Sequence, residues 1–158
     1  MVVVTRLLTS VDICDADDDG PDARRMSLSA HHEAVLGDGR RVVLLDGRGW
    51  NEMLSVVPSD EPSAPDSRRR ELPSVWAFAT VDGIKRAARV VVGPDAPFEG
   101  RTPADMEADH WEALAQILRR HGVEIEAADL KALPHDVVLS DRVLGRIGRG
   151  RPDPPAVP

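Results

Sequence analysis

Three residues have types and spacing that could carry chemistry: His32, Glu107 and His110. Glu107 and His110 stand three apart in a stretch with helical periodicity, so both fall on one side of a helix. A Glu-x-x-His pair at that spacing is what di-iron bundles use, but they need two copies, and here there is one. His32 is the one polar residue on the apolar parity of a predicted strand. If the helix packs on that strand face, His32 approaches Glu107 or His110 and forms a small polar site with a titratable imidazole. A hydrogen-bonded core histidine is the bland alternative. The trio is therefore the candidate ligand-binding set, and a His/Glu pair of this kind could also serve a small hydrolase.

An acidic loop is the second candidate. Asp15, Asp17, Asp19 and Gly20 occupy the first, third, fifth and sixth places of an EF-hand calcium loop. Close carboxylates repel, and a divalent cation would relieve several pairs at once. The match then fails, because Met26 stands where a bidentate Glu is needed and the flanks read as strands. The alternative is a solvated loop partly neutralised by Arg24 and Arg25. No cofactor is expected, with a divalent metal at Asp15, Asp17 and Asp19 as the alternative. Cys14, the only cysteine, has no nucleophile signature and cannot form an internal disulfide.

The elements that must position these groups follow from periodicity. Residues 2–13 read as a strand. Met26, Leu28, Ala30, Ala34 and Leu36 share one parity, and Arg25, Ser27, Ser29, His31 and Glu33 the other, which is a half-buried strand of an antiparallel sheet. Residues 36–40 form a tight turn, and residues 42–45 return as an interior strand. Residues 46–50 read as a turn followed by one helical turn through Leu54. Residues 75–79 and 90–92 read as buried strands, and residues 80–89 fit either a short helix or a hairpin. Thr102 caps a helix over residues 103–121, with Pro103 at its first position and Gly122 at its end. Trp111, Leu114, Ala115 and Leu118 line its buried side. A short strand at 123–126, a short helix at 127–133 and a partly helical segment at 136–147 complete the chain.

The fold class expected is α+β: a mainly antiparallel sheet of four to six strands, with one long helix and short C-terminal helices packed on one face. Residues 1–147 form a single domain. Residues 58–73, rich in Pro, Ser and Arg, are expected to be a mobile loop, and residues 148–158 a disordered tail.

Composition narrows the function classes. The chain has 158 residues with 20 basic and 27 acidic, a formal net charge of −7. That balance argues against a dedicated nucleic-acid binder. Lys85 and Lys131 are the only lysines, which reads as codon bias rather than phosphate recognition. Aromatics make up 3% of the chain, so stacking platforms are few. No apolar run approaches a membrane span, and the first residues lack the features of a signal peptide. The expected function is a small cytoplasmic, acidic, non-catalytic protein-interaction or regulatory module of the immunity-like kind. Its partner would be basic, a homodimer is left open, and catalysis is less expected than binding.

Overall fold

The computed structural model describes residues 1–18, 20–21, 23–54 and 74–149, with the backbone alone for Asp17. The expected mobile loop at 58–73 lies outside the described residues. So does the tail from residue 150 onward. Gly148 and Arg149 are described, and the Gly148 amide donates to the Trp76 carbonyl at 2.8 Å.

Four strands make one mixed sheet in the order β3-β2-β1-β4. Strands β1 (Val4–Ile13), β2 (Arg25–Leu36) and β3 (Arg41–Met53) form an antiparallel meander. Between β2 and β3, Gly39 takes a φ of 86° that only glycine adopts without strain. Strand β4 (His135–Leu139) lies parallel to β1 at the far edge. Helices α1 (Val81–Val91), α2 (Pro103–Arg120) and α3 (Ala127–Lys131) intervene before β4, and α4 (Asp141–Arg146) follows it. The architecture is α+β.

The predicted parity of β2 holds. Met26, Leu28, Ala30, Ala34 and Leu36 are buried, and they share their face with Leu7, Val11 and Ile13 of β1. Helices cover that face in two apolar clusters. Leu7, Ala34, Leu36, Val42 and Leu44 pack against Leu114, Ala115 and Leu118 of α2 and Leu130 of α3. Val11, Ile13, Leu28, Val137 and Leu139 pack against Ile84 and Ala88 of α1, Val143 of α4 and Trp76.

Several expectations need correction. Residues 75–79 are not a strand: Val75–Ala77 make a 3-10 turn. The Ser74 hydroxyl oxygen accepts from the Trp76 amide at 3.2 Å, and the Trp76 ring is buried in the second cluster. A short run apolar on both sides does not distinguish a strand from a buried helical turn. Residues 90–92 end α1 instead of forming a strand. The Thr80 oxygen accepts from the Gly83 amide at 3.0 Å, which starts the helix and settles the ambiguity at 80–89. Ile84, Ala88 and Val92 then recur at helical spacing as the buried side, which outweighs the β-branching of three valines. Residues 46–53 extend β3 and are not a turn. Residues 123–126 form no strand; Val123 is buried in the first cluster and its amide donates to Leu118. Residues 136–147 divide into β4 and α4, with Ser140 between them as the helix cap.

Helix α2 forms as its signals predict. Thr102 and Asp105 satisfy each other's backbone amides in a capping box, and Pro103 needs no donor in the first turn. Gly122, at φ 76°, closes the helix.

Candidate functional site

The two apolar clusters leave a polar seam between them on the helix-covered face of the sheet. Thr9 of β1 stands directly across from His32 of β2. Thr9 is 0% exposed and His32 is 1% exposed. The Thr9 hydroxyl lies 2.8 Å from Nδ1 of His32 and 2.7 Å from Nε2 of His135 on β4. The two imidazoles meet edge to face with centroids 5.0 Å apart. One hydroxyl has one proton to give. One ring nitrogen therefore accepts from Thr9, and the other must carry a proton and donate to it.

The irregularity of β3 is centred on this seam. Ala30 pairs with Arg48 and His32 with Leu45, so β3 accommodates extra residues opposite His32. Arg48 then reaches Asp95, after α1, with Nη1 2.7 Å from Oδ1. From α2 comes His110, whose ring stacks edge-on against Trp111. The His110 Nε2 atom is buried with no hydrogen-bond partner among the described residues. Arg89 of α1 donates to the His135 carbonyl.

Burial dominates the electrostatics. It pulls His32 from 6.5 down to about 4, and the neighbouring His135, His110 and His31 push the same way. His135 is lowered by burial and then by Arg89, against the opposing charge of Asp136. His110 is lowered by burial and Arg48, against Asp95 and Glu107. All three imidazoles are therefore held neutral at pH 7. They can accept protons or hydrogen bonds, and they resist becoming cations.

The structure brings His32 and His110 of the predicted trio within electrostatic reach of each other. Glu107 is close enough for its charge to act on His110, but its carboxylate is engaged elsewhere: Oε1 lies 2.9 Å from Lys131 Nζ on α3. In the acidic loop, Asp15 pairs with Arg142 and Asp18 with Arg146, both from α4. The Asp17 side chain and all of Asp19 lie outside the described residues. Among the described residues, no three His, Cys, Asp or Glu side chains are placed to hold a metal ion.

Thr9, Arg48, Asp95 and His135 were missed. Thr9 carried a signal: it breaks the apolar parity of β1 as His32 breaks that of β2, and two such breaks in paired strands are expected to meet. His135 carried a weaker one, since His135, Val137 and Leu139 share one parity.

A second feature lies outside the seam. Helices α2 and α3 border a groove of about 450 Å³. It is lined by Ala104, Ala108, Ala127, Ala128 and Trp111, and the Trp111 Nε1 atom is buried without a partner among the described residues. Glu107, Glu112 and Lys131 complete the lining, with Lys131 paired to Glu107.

No family model matches this chain, and no match was found among curated proteins or among solved structures.

Proposed function

We propose that this chain is a non-catalytic protein-interaction or regulatory module, immunity-like and cytoplasmic, that binds a basic partner through the α2–α3 groove. The groove carries the reading. Small alanines and one half-buried indole offer apolar contact at little entropic cost, and Glu107 and Glu112, paired with Lys131 and Arg119, border it with charge. The formal net charge of −7 would speed the approach of a basic protein. The same charge disfavours nucleic acid as the partner. No helix among the described residues is long and apolar enough to cross a membrane. The reading invokes no cofactor.

The experiment uses an amphipathic peptide with lysines or arginines on one side and alanines and leucines on the other. Amide resonances of α2 and α3 should shift on titration, and the association rate should fall steeply with salt. Ala108→Arg should abolish both effects. Shifts confined to other elements, or binding indifferent to salt, would overturn the assignment. Self-association without peptide would identify the groove as a homodimer contact instead.

The orphaned Nε2 of His110 favours a second reading, a small-ligand site at His32, His110 and His135. A thermal-shift screen of small anions and other small ligands separates the two, because only this reading gives stabilisation that disappears in His110→Gln. A hydrolase built on a His/Glu pair has the least support, since the Glu107 carboxylate turns to Lys131.

A further inference from the structure

We infer that the Thr9 hydroxyl bridge between His32 and His135 is an acid-sensitive clasp that holds β4 on the sheet, so that mild acid releases β4 while the β1–β2–β3 meander stays paired. This inference is independent of the groove and of any ligand.

The geometry needs a bare nitrogen on one of the two rings. With one bare and one protonated ring nitrogen facing Thr9, every polar atom of the bridge is satisfied. A further proton on the bare nitrogen puts N–H groups on both sides. The hydroxyl then accepts twice, and its own proton loses its partner at a site with 0% exposure. Among the described residues no carboxylate offsets the charge at His32, and at His135 only Asp136 does, itself paired with Arg6. His32 faces Thr9 of β1, His135 of β4 and His110 of α2, and His31 follows on its own strand. His135 faces Arg89 of α1, and its one acidic neighbour is Asp136. Around His110, Asp95 is already engaged by Arg48, and Glu107 by Lys131.

Strand β4 is the element that yields. It has five residues and pairs with β1 alone, whereas β2 is paired along both edges. Flanking bonds, from the Leu7 amide to Pro134 and from the Ser140 amide to Val11, hold its ends. The clasp is the side-chain bond between them. Opening β4 lets water reach both imidazoles, which relieves the desolvation that kept them neutral.

Hydrogen exchange followed by mass spectrometry tests this on the whole chain, after correction for the intrinsic pH dependence of exchange. Between about pH 7.5 and about pH 5, protection of peptides covering residues 135–139 should fall roughly tenfold or more, as expected for at least one proton taken up on opening. Peptides covering residues 28–36 should keep their protection. In the double variant His32→Gln/His135→Gln, whose amides bond Thr9 without titrating, the selective loss at β4 should vanish. Loss of protection in β2 in parallel with β4, or survival of the selective loss in the double variant, would overturn the inference. Should the double variant fail to fold, ring-nitrogen resonances of the native protein decide. The same tautomer at His32 and His135, Nε2–H on both or Nδ1–H on both, with depressed midpoints supports the clasp; opposed tautomers or ordinary titration of either ring refute it.

Discussion

Arg146 of α4 grips Asp18, which precedes β2, with both ends of its guanidinium: Nη2 lies 2.9 Å from Oδ2, and Nη1 bonds Oδ1. The same guanidinium lies over the Trp76 ring, 5.8 Å from its centroid. One side chain near the end of the described chain thus fastens the first loop and covers the largest buried aromatic. This fork of charged hydrogen bonds neutralises the carboxylate there. It holds Asp18 down at about 2, against 3.8 for an ordinary aspartate.

Arg146→Ala should therefore destabilise the protein by about 1 kcal/mol, combining a two-point ion pair with a cation–π contact. The sign with pH follows from the depressed carboxyl. The contribution is present above the unfolded value near 3.8 and is lost as pH falls through about 2. Chemical denaturation at neutral pH should show the loss, and a carboxyl-carbon titration of the variant should find Asp18 near its ordinary value.

The seam histidine acts in the same sense but in a higher pH window. His32 accepts a proton less readily when folded, at about 4, than when unfolded, near 6.5. Its neutral state stabilises the fold above the unfolded value, and that stability drains away as pH falls from 6.5 toward about 4. The full difference amounts to about 3 kcal/mol from this one group. His32→Leu should flatten the profile of unfolding free energy across this window. An unchanged slope would place the acid sensitivity elsewhere.

Gly49 allows β2 and β3 to approach at the margin of their shared irregularity. A β carbon at this position would stand 2.7 Å from the Leu28 carbonyl oxygen, a backbone atom that cannot swing aside. Gly49→Ala should cost on the order of 1–3 kcal/mol by forcing the strands apart. The urea midpoint measures the cost, and amide protection of β3 localises it.

The capping box at the start of α2 gives a smaller and more local effect. Thr102→Ala removes the acceptor of the Asp105 amide, 3.2 Å away, and leaves that donor to water. The expected loss is about 1 kcal/mol, read as a lower melting temperature with the α2–α3 groove otherwise intact. Thr102→Ser should restore most of it.

Local patterns in the sequence determined the elements whose periodicity needs only one neighbour layer. The alternation along β2 and the stripe of α2 follow from a single apolar face, and Thr102, Pro103 and Gly122 mark the ends of α2 by backbone chemistry alone. His32 stood out for the same reason, as a polar break in an apolar face. Tertiary structure decided what depends on distant partners. The Val90 region became helix because Ile84 and Ala88 found an apolar cluster to bury against. Strand β4 exists because β1 offered an open edge more than a hundred residues upstream in the sequence. Side-chain pairing was likewise invisible in sequence: Glu107 could turn inward to a histidine or outward to Lys131, and the position of α3 settled it. The clasp at Thr9 has the same origin, since a hydroxyl shared by β2 and β4 exists only once both strands are laid against β1.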